Sequence, residues 1–139
     1  MSITYVYAGL RQLVEGRASQ CCEYCLLPAL IAFLPHEIDH IIAEKHGGAT
    51  EEGNLALACW RCNRHKGSDL GSFDPQTGDF SFLYNPRLQQ WGEHFLVREG
   101  TILGLTAEGR TSVRLLQCNT IERIQERLRL ITLGLYPAE

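Results

Sequence analysis

No stretch of the 139 residues approaches the roughly 18 uninterrupted apolar residues that a membrane-spanning helix needs. The opening MSITYVYAGLRQLVEGR lacks a basic start followed by an apolar core, so a secretory leader is not expected and a cytoplasmic location is. Excess positive charge is also missing. Thirteen Lys and Arg face 16 Asp and Glu, a net charge of −3, which excludes non-specific attraction of nucleic acid by a strongly basic protein. Local basic patches remain open. Internal repeats and low-complexity tracts are absent, while 45% apolar and 21% charged residues exclude a wholly disordered chain. The length suits one domain with a modest core.

Cysteine, by contrast, is plentiful, with six in a chain for which no leader is expected. In a reducing compartment they point to metal ligands rather than disulfides. Cys22-Glu23-Tyr24-Cys25 and Cys59-Trp60-Arg61-Cys62 are two C-x2-C pairs with 33 residues between them. Such spacing lets both thiolates of a turn reach one ion, and two turns supply the four sulfurs that structural Zn²⁺ prefers. A closed four-thiolate site leaves no open coordination position, so it speaks for structure and not for chemistry. Cys21 adjoins the first pair in a less usual spacing, and Cys118 is expected to be a buried bystander.

Around these pairs, residues 8–18 read as a short helix with Leu10, Leu13, Val14 and Ala18 on one side. Residues 36–42 alternate as a strand, with His36, Ile38 and His40 on one face and Glu37, Asp39 and Ile41 on the other. A polar loop over 44–53 and a buried strand over 55–59 follow, then a knuckle running into a helix closed by Gly67. Beyond it, Asp74–Asp79 reads as a turn between strand-like pieces, and residues 94–117 read as further strands around Gly100, Gly104 and Gly109. Asn119 or Thr120 caps a final helix, with Glu122 in capping-box position from Asn119. Ile121, Ile124, Leu128 and Ile131 form its apolar stripe, and Arg123 and Arg127 read as a solvated face. The expected fold is α+β, in one compact domain.

The run EIDHII…GG…GNLALACWRCNRHKG resembles the HNH endonuclease family, in its four-cysteine subgroup, over about residues 21–67. The resemblance implies a ββα-metal finger stapled by a four-cysteine zinc site within residues 1–70. Residues 71–139 would form a strand-rich extension with a C-terminal helix packed on that core. It also implies hydrolysis of phosphodiester bonds in DNA. His40 would be the general base, as the near-neutral pKa of imidazole allows. Asp39 and Asn63 would hold a catalytic Mg²⁺ or Mn²⁺ through oxygen, Asn54 would brace the loop that orients His40, and Lys66 would contact the phosphate. Asn63 replaces the last histidine of the family's namesake pattern, which suits oxygen-seeking Mg²⁺ and removes an imidazole ligand. Adjacent strand residues face opposite ways, so convergence of Asp39 and His40 requires the strand to twist or to end near His40.

Lys45, Arg61 and Arg64 would form a basic rim suited to a phosphate backbone, with no aromatic interleaving for base stacking. The competing readings are a zinc-stabilised nucleic-acid-binding module without catalysis, and a thiol-based redox or metal sensor. The latter leaves Asp39, His40 and Asn54 without a task.

Overall fold

The computed structural model describes residues 5–137. Helix α1 spans Ala8–Arg17, strand β1 Glu37–His40, strand β2 Leu55–Ala58 and helix α2 Trp60–Lys66. The second half adds β3 (Gly71–Phe73), β4 (Phe80–Phe82), a single-turn α3 (Trp91–His94), β5 (Phe95–Arg98), β6 (Thr101–Gly104), α4 (Ala107–Leu115) and α5 (Ile121–Thr132). The strands form three separate antiparallel pairs, β1–β2, β3–β4 and β5–β6. The fold is α+β, and β1, β2 and α2 form the ββα unit. No helix among the described residues is long and apolar enough to cross a membrane.

The sequence LALA explains how β2 sits between two packed layers. Side chains alternate along a strand. Leu55 and Leu57 pack against Leu10 and Val14 of α1, whereas Ala56 and Ala58 join the larger core that holds the cysteines. Cross-strand partners share a face, and the register pairs Asp39 with Ala56 and His40 with Leu55. Asp39 therefore belongs to the cysteine side and His40 to the α1 side. Side chains satisfy the outer edge of β2: Leu57 N donates to Glu23, Arg17 and Arg87 donate to Leu55 O, and Arg87 pairs with Glu23. That cover blunts an edge otherwise open to strand addition.

The C-terminal half differs from the expectation in two places. Residues 107–115 are helical rather than extended, capped by Thr106, whose hydroxyl accepts from Gly109 N. Gly109 is there for close approach, since a Cβ would collide with the His94 carbonyl. The second difference is the orientation of α5. Its cap is Thr120 and not Asn119, whose amide instead clasps Ile102 N and O. Arg123, Arg127 and Leu130 are buried, while Ile121, Leu128 and Ile131 are exposed. The two arginines turn inward to carbonyl oxygens after the end of α4 and in the β5–β6 turn. Arg123 donates to Leu116 O and Gln117 O, and Arg127 to Gly100 O, Cys118 O and Asn119 Oδ1. A guanidinium carries five donors, which makes it able to satisfy such a cluster while buried.

Candidate metal centre and active site

The two knuckles bring the four predicted thiols together. The Sγ atoms of Cys22, Cys25, Cys59 and Cys62 all lie within 4.8 Å of one another, and all four residues are buried. A Zn–S bond of about 2.3 Å sets a tetrahedral S···S edge of about 3.8 Å. The Cys25–Cys59 separation is 3.7 Å, and none of the cysteines is in a disulfide. The donor set thus fits a closed tetrahedral zinc site. Each turn folds its second amide back on its first sulfur, with Cys25 N to Cys22 Sγ and Cys62 N to Cys59 Sγ both at 3.4 Å. Burial pushes the Cys22 thiol up, whereas hydrogen bonds from the neighbouring thiols hold Cys25 well below the ordinary thiol range. Cys21 lies outside the cluster and donates to Ser19 O, while Cys118 is buried in contact with Cys62.

On the cysteine side of β1, Asp39 is almost wholly buried and both its oxygens are engaged. Tyr24 donates its hydroxyl to Oδ2 at 2.7 Å, and the Lys66 ammonium donates to Oδ1 at 3.2 Å. Burial raises the Asp39 carboxyl above its usual pKa, with Lys66 and Tyr24 opposing the rise. Burial also lifts the Tyr24 phenol well above its ordinary value, and the Asp39 carboxylate adds to that. Lys66 is 2% exposed and spends its remaining protons on His40 O (3.0 Å) and Ile41 O (3.1 Å). In this arrangement Lys66 is a buried structural cation, not a group offered to a phosphate. A divalent cation does not fit at Asp39 while the ammonium holds it. Asn63, half-buried on α2, donates Nδ2 to Glu37 Oε1 at 2.7 Å, which leaves its Oδ1 as the free amide oxygen.

His40 faces away from this pair. Pairing is regular through the whole of β1, which ends at His40, so no twist within the strand swings the imidazole towards Asp39. The ring, 6% exposed, places Nε2 2.8 Å from Thr50 Oγ1, and its Nδ1 has no partner. Asn54 organises the turn that follows. Its Oδ1 accepts from Ile42 N, its Nδ2 donates to Ile42 O and Ala49 O, and its backbone O accepts from Ile41 N. Gly48 lets the loop close here, because a Cβ would strike Ile42 O and come within 2.8 Å of Asn54 Nδ2. Thr50 carries no motif, and spacing gave no signal for it.

The basic rim is partly committed. Arg61 pairs with Glu126 at 2.9 Å, and Arg61 and Arg64 flank the Trp60 ring at 5.5 and 5.1 Å from its centroid. Arg64 and Lys45 are exposed, and His46 Nε2 contacts Ser68 O at 3.1 Å, tying the Lys45 loop to the end of α2. His36 is buried, with Nε2 2.8 Å from Leu27 O.

Residues 22–69, about a third of the chain, match the HNH endonuclease family. No curated protein and no solved structure matches the chain.

Proposed function

We propose that this chain, which carries an HNH endonuclease domain at residues 22–69, hydrolyses phosphodiester bonds in duplex DNA, with His40 as the base that activates water. The observation that carries the reading is the coincidence of that family match with a zinc-compatible four-cysteine clamp. Between the clamp's two halves, Asn54 pins the turn immediately after His40. With Nε2–H donating to Thr50, the lone pair on Nδ1 is the acceptor for a water proton, and it is the nitrogen without a protein partner. Nδ1 is buried, so access of water requires local opening around the ring.

Arg64 and Lys45, both exposed, would neutralise backbone phosphates, giving contact without base readout. The resemblance would assign a Mg²⁺ or Mn²⁺ ion to Asn63 and Asp39. The amide oxygen of Asn63 is free for it. Asp39 is held by Lys66 and lies on the face of β1 opposite His40, so its part would require both the ion pair and the strand end to rearrange. Such an ion would neutralise charge on the phosphate. Zinc would close the four-cysteine clamp, in a purely structural role.

The test compares zinc-loaded protein on supercoiled plasmid and on an RNA of similar length, with Mg²⁺, with Mn²⁺ and with chelator added only at the reaction step. Metal-dependent conversion of the plasmid supports the reading. Binding without cleavage of either polymer supports the non-catalytic module instead, and cleavage of RNA alone replaces the substrate.

A further inference from the structure

A Zn²⁺ ion with four thiolates carries two net negative charges, and here it would be buried. Uncompensated buried charge is strongly unfavourable, so a site of this kind needs donors or cations directed at its sulfurs. Backbone amides contribute at Cys22 and Cys59. The only charged side chain among the described residues that donates to these sulfurs comes from the far end of the chain. Arg123 on α5, 4% exposed, places its NH2 3.2 Å from Cys62 Sγ and 3.9 Å from Cys59 Sγ. Its NH1 is held by Leu116 O and Gln117 O, which fixes the direction of the fork. No carboxylate among the described residues forms an ion pair with it, in contrast to Lys66 with Asp39 and Arg110 with Asp74.

The rest of the C-terminal half closes on the same centre. Trp91 Nε1 donates to Tyr24 O within the first knuckle, and Tyr136 donates its hydroxyl to Cys25 O at 2.9 Å. Both contacts fix backbone beside a ligand, while Arg123 meets the sulfurs of the second knuckle. Arg127, one turn along α5 and just as buried, meets carbonyls and Asn119 only. It shares Arg123's burial and lacks its sulfur contacts.

We infer that Arg123 is the counter-charge of the zinc centre, so that the C-terminal half completes the metal site instead of forming a separate binding appendage. This rests on zinc occupying the four-cysteine clamp, which the metal content of the purified protein checks separately from everything below. Removing an outer-shell partner costs about 10–100-fold in metal affinity. Zinc transfer from folded holo-protein to a chromogenic chelator is therefore compared for wild type, Arg123→Met, Arg123→Lys and Arg127→Met.

Arg123→Met is expected to release zinc at least about tenfold faster than wild type. Arg123→Lys, which keeps the charge, falls between them, and Arg127→Met stays within about threefold of wild type despite its packing loss. Equal release by Arg123→Met and Arg127→Met overturns the inference, as does equal release by Arg123→Met and Arg123→Lys, because either result assigns the effect to packing. If Arg123→Met yields no folded holo-protein, Arg123→Lys against Arg127→Lys decides. Faster zinc release from Arg123→Lys than from Arg127→Lys supports a specific role at the sulfurs, and equal or slower release from Arg123→Lys overturns it.

Discussion

Replacing Lys66 by Met keeps most of the side chain's volume and removes its charge and its three donors. In the native protein those donors go to Asp39 Oδ1, His40 O and Ile41 O, so the ammonium is saturated. The variant strands a buried carboxylate and two carbonyls. Breaking a buried ion pair costs about 3–5 kcal/mol, and each orphaned polar group about 1–3. These losses overlap, because the Tyr24 hydroxyl still serves Asp39 and the carboxyl can escape by taking up a proton. A net loss of about 4–6 kcal/mol is expected. For a chain this size that lowers Tm by roughly 15 °C.

Two further readouts follow from the same geometry. Asp39→Asn combined with Lys66→Met removes the stranded charge and should recover at least about 2 kcal/mol of the loss. The pH dependence also has a definite sign. Burial already holds the Asp39 pKa above its usual value, and loss of Lys66 raises it further. A raised folded-state pKa gives stability that is present at low pH and lost as pH rises through that pKa. The deficit of Lys66→Met should therefore shrink as pH falls from 7 towards 5. Denaturant unfolding of the zinc-loaded proteins measures all of this. A variant within about 1 kcal/mol of wild type that nonetheless loses DNA cleavage would refute the structural reading and restore Lys66 as a phosphate contact.

Other expectations concern the rest of the site. Asn54→Ala frees Ile42 N, Ile42 O and Ala49 O from their side-chain partner, and should lose most cleavage while zinc content stays at wild-type level. Metal analysis alongside plasmid assays checks it, and a variant that also sheds zinc would contradict it. Cys59→Ser should lose zinc and the cooperative unfolding transition, as followed by metal content and circular dichroism. Asp74 is held well below the usual carboxylate range, chiefly by its hydrogen bonds from Arg110, so its contribution is present above the unfolded pKa and lost as pH falls. The stability gap between wild type and Asp74→Asn should be constant from neutrality to about pH 5 and narrow below about pH 4.

The finger was readable because its signals are local. Two C-x2-C turns, an alternating strand and the LALA run each depend on neighbours a few residues away, and they yield β1, β2, α2 and the four-cysteine clamp. The brace role of Asn54 came from the family resemblance, and the structure gives its amide three hydrogen bonds in the turn after His40. The Lys66–Asp39 pair was not legible, because it joins residues across the packing of α2 on β1, and the family resemblance pointed to a phosphate contact instead. Two features of the C-terminal half misled in different ways. Gly100 does sit in the turn between β5 and β6, but Gly104 and Gly109 serve close packing of α4 on β6. The charge pattern of α5 pointed outward by ordinary amphipathic reasoning, yet unsatisfied carbonyls and cysteine sulfurs draw two arginines inward. Neither acceptor set is visible until the fold assembles it.

The most direct test of the proposed activity is single-turnover cleavage of a labelled DNA duplex by zinc-loaded wild type and His40→Ala, each first shown to be folded with equal zinc. Cleavage by wild type and its loss in His40→Ala is the predicted result. Equal cleavage by the two proteins, or none by wild type with either divalent metal, would contradict it.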